Sequence, residues 1–132
     1  MTSYHFSVTV KGEFDQVVDR TKAELAKEGF GILSEIDVSA TMKAKLDEDM
    51  PSYKILGACN PPFALQALNA DPSIGVLLPC NVVVRDTGGG RMLVDFMDPE
   101  AVLNLVDKPG IRMVADEVRA RLEMVRDSLA HP

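Results

Sequence analysis

The order of hydrophobic periods along the chain predicts an α+β fold: about five mainly antiparallel strands, with two long amphipathic helices covering one face of the sheet. Three observations carry this. Tyr4 to Val10 alternates with Tyr4, Phe6, Val8 and Val10 in phase, the period of two of a half-buried strand. Phe14, Val17, Val18, Thr21 and Leu25, and later Ile111, Val114, Ala115, Val118, Leu122, Val125 and Leu129, recur instead at helical spacing. Between two β-rich runs stands Asp86-Thr87-Gly88-Gly89-Gly90, hairpin chemistry that makes its flanking strands antiparallel neighbours. At 132 residues the chain has the size of one domain, residues 1–132, with a core that needs no disulfide or metal to close it.

Taken in order, the first strand stops at Gly12, and the helix from Phe14 to Lys27 ends where Gly29 offers a left-handed residue. Phe30 to Ile36 is apolar and β-branched enough for a second strand. Asp37 then caps a short helix carrying Val38, Met42 and Leu46 on one face, ended by Asp47-Glu48-Asp49. Tyr53 to Cys59 reads as a third strand. Asn60-Pro61-Pro62 pairs an N-cap residue with proline in the first turn of a helix running to Ala70, and Asp71-Pro72 breaks it. Gly75 to Arg85 reads as a long fourth strand with Pro79 at an edge or bulge, and Arg91 to Met97 as the fifth. Asp98-Pro99-Glu100 opens another short helix, and Pro109-Gly110 separates it from the last one.

Composition excludes several function classes. Fourteen Lys and Arg against twenty Asp and Glu leave a formal charge of −6, which repels phosphate backbones and anionic headgroups, so neither nucleic acid nor a membrane surface is an expected partner. The most apolar segment, Ile74 to Val84, is interrupted by Pro79 and Asn81 and is too short to span a bilayer. The first residues carry no basic, apolar leader, so a cytoplasmic location is expected, with both cysteines reduced.

The candidates for chemistry are few. Gly88-Gly89-Gly90 leads into a strand and not into a helix N-terminus, which makes it a hairpin and not a phosphate loop. Asp47-Glu48-Asp49 lacks the alternating ligands of a calcium loop and reads as a solvated acidic run. His5 points outward if Phe6 faces the core, and His131 lies at the other end of the chain, so no catalytic constellation is assigned. With Cys59 and Cys80 and these two histidines as the soft ligands, no metal site is assigned either, and no cofactor is named.

The cysteines are each followed by asparagine. Cys59 and Cys80 read in the first place as small core residues; alternatively, the helix that starts after Cys59 favours a thiolate through its dipole and free N–H groups. Asn60 is explained as the cap of that helix. Asn81 has no such explanation, because an amide within an apolar strand must find partners if it is buried. Cys59, Asn60, Cys80 and Asn81 are therefore the candidate ligand-binding or thiol residues, and a shared site requires the two Cys-Asn dipeptides to converge.

Tyr53-Lys54-Ile55-Leu56-Gly57-Ala58-Cys59-Asn60-Pro61, Ala67-Leu68 and Gly75-Val76-Leu77-Leu78-Pro79-Cys80-Asn81-Val82 resemble the bacterial and archaeal domain-of-unknown-function family three-hundred-and-two. Gly29-Phe30-Gly31, Glu35-Ile36-Asp37 and Asp98-Pro99 extend the resemblance over nearly the whole chain. It implies a TBP-like arrangement in which a curved, mainly antiparallel five-stranded sheet grips a long C-terminal helix, here with short inserted helices, in a homodimer. It also implies association with sulfur-handling domains. Three functional readings stand: a non-catalytic small-ligand or effector-binding module in a homodimer; a thiol-based redox or sulfur-relay protein using Cys59 or Cys80; and a structural dimerisation module. An enzyme is neither required nor excluded by these residues.

Overall fold

Alternating side chains give a strand two faces, and in this chain one of those faces is consistently apolar. The computed structural model describes residues 3–131. Its five strands are β1 (His5–Lys11), β2 (Gly31–Asp37), β3 (Tyr53–Cys59), β4 (Cys80–Gly88) and β5 (Arg91–Met97). They form one antiparallel sheet in the order β1-β5-β4-β3-β2, which leaves β1 and β2 as edges. Leu56 opposes Val82, Val84 opposes Val94, and Phe6 opposes Phe96, so the register stacks apolar residues in rows across the strands.

Among the described residues, five α-helices accompany the sheet: α1 (Phe14–Lys27), α2 (Val38–Leu46), α3 (Pro61–Ala70), α4 (Pro99–Leu103) and α5 (Pro109–Ala130). Helix α5 buries its whole predicted stripe, from Ile111 to Leu129, together with Val17, Val18 and Leu25 of α1 and the inner sheet face. The architecture is thus the α+β fold expected, with a long C-terminal helix against the five-stranded antiparallel sheet and short helices inserted between strands.

Several local features differ from the sequence expectations. The fourth strand begins at Cys80, not Gly75. Asp71 accepts a hydrogen bond from the Ser73 amide at 3.0 Å and Pro72 follows it, so Pro72–Leu77 coils into a 3-10 helix. Pro79, joined to Leu78 by a cis peptide, lies just outside the ladder, where its missing N–H costs no bond. Pro109 and Gly110 form the first turn of α5 and do not separate it from α4, because a proline there removes only a donor with no partner within the helix. Helix α2 buries none of its residues, and Leu46 is exposed, so its apolar spacing is not a core face.

A register shift between Ile32 and Ser34 leaves Leu33 outside the regular pairing, and its side chain is 70% exposed. Helix α1 ends in a Schellman motif: Gly29, at φ 88°, donates to the Ala26 carbonyl at 3.1 Å, and Phe30 to the Leu25 carbonyl at 3.0 Å. That turn sends the buried Phe30 into the sheet beside β3.

Candidate functional site

The C-terminal end of β3 and the start of β4 meet at the register pair Ala58 and Cys80, with Cys59 opposite Gly31 on the other side. Here the sheet gives way to helices. A cavity of about 290 Å³ opens between this sheet end and α3, α4 and α5. Phe63, Ala64 and Ala67 line it from α3, Leu103 from α4, Val114 and Val118 from α5, and Phe30, Leu78 and Pro79 from the connecting segments. Leu33 and Leu68, both exposed, stand among its walls and mark its mouth. The polar side chains of this lining are Cys59, Asn60 and Cys80.

Three of the four predicted site residues therefore share one cavity. Strand alternation alone does not place the thiols together, since Cys80 lies on the core face with Ala58 while Cys59 is one residue out of phase. Cys59 reaches the cavity as the last residue of β3, where the chain turns into α3. Asn81 is separated from them. It follows Cys80 on a strand, is exposed, and lies on the opposite face of the sheet, so it needs no buried partner.

Asn60 occupies the N-cap position of α3, but its side chain makes no capping bond. Its Nδ2 donates to the Glu28 carbonyl at 3.1 Å, and the same carbonyl accepts Nη1 of Arg121 at 3.2 Å. Glu28 is the C-cap of α1, so Asn60 closes the end of a different helix from the one it precedes. The approach is close: a Cβ on Gly29 would stand 3.1 Å from Nδ2. Arg121 also lies over the Phe63 ring, 5.1 Å from its centroid, bracing one cavity wall from outside.

Burial of the thiols works against the alternative of a stabilised thiolate. Burial pushes the Cys59 thiol above its ordinary pKa, and burial together with the nearby Cys59 pushes Cys80 up to about 12. The local sequence also weakens what the helix end can offer a thiolate. Pro61 and Pro62 occupy the first turn of α3 and have no N–H, so the helix end lacks donors that a thiolate needs. Both thiols are free, with Cys80 buried and Cys59 half-buried. Such groups are neutral, soft contacts for a bound molecule and poor nucleophiles at neutral pH.

Among the described residues, no three His, Cys, Asp or Glu side chains are grouped to hold a metal ion, and no helix is long and apolar enough to cross a membrane. Sequence reasoning missed a polar group on the uncovered sheet face, where Ser7, Arg85 and Asp95 interact beside His5. Their strand alternation was the available signal, since each stands out of phase with a core residue.

The model of the family described as "Domain of unknown function DUF302" matches residues 6–129. Among solved structures, the chain is similar to the crystal structure of an uncharacterized conserved protein DUF302 from Bacillus stearothermophilus. The two are 26% identical, with a TM-score of 0.87 over 96% of this chain and 98% of that one. No curated protein matches the chain. With the match spanning nearly every element from β1 to α5, the chain belongs to the DUF302 family.

Proposed function

We propose that this protein is a non-catalytic binding module, working as a homodimer, that takes a small, mainly apolar ligand into the cavity at the end of the sheet. The observation that carries this reading is the cavity itself: about 290 Å³ of space walled by apolar side chains, with one amide and two thiols as its polar features. Ligand sites are concave and apolar with a few polar anchors, and a structural dimerisation module has no need of such a space. Asn60 is the orienting group, because its Nδ2 is held by Glu28 and its carbonyl oxygen makes no capping bond. Cys59 and Cys80, kept protonated by burial, line the pocket as soft contacts.

The homodimer is supported by the two free edges, β1 and β2, and by exposed Leu33 and Ile36 on β2. The meeting of both thiols at one cavity favours the sulfur-relay reading as second choice. Native mass spectrometry of the purified protein tests both. The binding reading expects a small apolar molecule carried non-covalently and released on activation. A covalent sulfur adduct on Cys59 or Cys80 supports the relay. Bare chains that also fail to bind any added apolar compound contradict the proposal.

A further inference from the structure

The sheet face not covered by α1 and α5 is shaped as well as polar. A concavity of about 500 Å³ lies there, bordered by Tyr4, His5, Tyr53, Asn81, Arg85 and Asp95, with Val83 and Met97 as apolar surface. Cross-strand pairing builds it: Ser7 opposes Asp95, Asp95 opposes Val83, and Tyr53 opposes Arg85. Asn81, opposite Gly57 in the register, closes the border at the β3 side.

Asp95 organises the group. Its Oδ1 accepts the Ser7 hydroxyl at 2.5 Å and its Oδ2 accepts Nε of Arg85 at 3.0 Å, while Nδ1 of His5 lies 3.3 Å from the Ser7 oxygen. With both oxygens engaged and its side chain only 18% exposed, Asp95 is a poor ligand for a cation and serves as a brace for Arg85. The guanidinium gives Nε to this pair, and its Nη groups make no hydrogen bond among the described residues. A half-exposed guanidinium held in this way presents a planar fork suited to a carboxylate. The Asp95 charge nearby and the overall charge of −6 penalise a dianion more than a monoanion. The Tyr4 and Tyr53 rings and the Val83 and Met97 side chains provide apolar walls for the remainder of the ligand.

We infer that this face is a second binding site, distinct from the thiol cavity, for a small organic monocarboxylate with a planar apolar body. Arg85 receives the carboxylate, the Asn81 amide adds a hydrogen bond, and the tyrosine rings hold the body.

An NMR titration of the isotope-labelled chain with benzoate, benzamide and inorganic phosphate tests it. Benzoate, added to about 10 mM, is expected to shift the backbone amides of Asn81, Val83, Arg85 and Asp95 saturably. Benzamide and phosphate bind at least about tenfold more weakly, and Arg85→Lys and Arg85→Gln each weaken benzoate by about tenfold. Because Arg85 also pairs with Asp95, the exposed Asn81→Ala is a second variant, expected to weaken benzoate about threefold. The inference is overturned by the absence of saturable benzoate shifts or by shifts confined to Ala58 and Ala67. Equal binding of benzamide or phosphate overturns it too, as does unchanged benzoate affinity in folded Arg85 and Asn81 variants.

Discussion

Asn60 stands where a helix cap stands and closes another helix, and that difference has a measurable signature. An N-cap asparagine accepts from the helix N–H groups and is replaced well by aspartate. Here the amide donates to the Glu28 carbonyl, so a carboxylate would oppose an oxygen with an oxygen. Urea unfolding should therefore show Asn60→Ala less stable by about 1 kcal/mol and Asn60→Asp less stable still; an Asp variant as stable as the parent would contradict the assignment. Cys80 makes a second prediction at this scale. Its folded pKa, about 12, lies above the ordinary 9.0, so the folded state favours the neutral thiol. The resulting stability is intact below about pH 9 and declines as pH rises toward 12. Thermal melts of the parent should fall across that window more steeply than those of Cys80→Ala. Iodoacetamide at neutral pH should label Cys59 before Cys80, with both labelled quickly only in denaturant.

Among the elements, β3 shows how closely the site depends on the sheet's packing. A Cβ at Gly57 would fall on Ser34 Oγ of the neighbouring strand and lie 2.9 Å from Cγ of Pro79, a cavity residue. Gly57→Ala should cost about 1–3 kcal/mol in chemical denaturation, because the Ser34 hydroxyl must be displaced and the Pro79 ring has little freedom to retreat. A variant with parental stability would mean that Ser34 and Pro79 move aside easily. The strands and helices were legible where a single period ran uninterrupted: β3, α3 and the α5 stripe follow from spacing, proline and glycine alone. Gly75 to Leu77 was not legible as part of a 3-10 helix, because its apolar run matches a buried strand equally well and the deciding contact is the local Asp71 cap. At the site, the convergence of Cys59 and Cys80 was legible only as a condition, since strand adjacency depends on tertiary pairing. The use of Asn60 was hidden for a similar reason: its partner Glu28 lies 32 residues earlier in the chain.

For the molecule as a whole, the sheet separates two surfaces of different character. One is packed by α1 and α5 and ends in the thiol cavity; the other carries the Asp95 and Arg85 cluster. Cys80 and Asn81, adjacent in sequence, belong to opposite sides of this division. The proposed homodimer should give a light-scattering mass twice the 14.4 kDa of the chain at micromolar concentration, and a mass near 14.4 kDa would refute it. The central claim is that the cavity beside Cys59, Asn60 and Cys80 binds a small apolar molecule. Its most direct test is an NMR titration with 1-naphthol, an apolar ring system with one hydroxyl for Asn60. The account predicts saturable shifts at the amides of Ala58, Asn60, Ala67 and Cys80, abolished when Ala67→Phe fills the cavity while the fold is retained. No saturable shift at these residues, or undiminished binding by a folded Ala67→Phe protein, would contradict it.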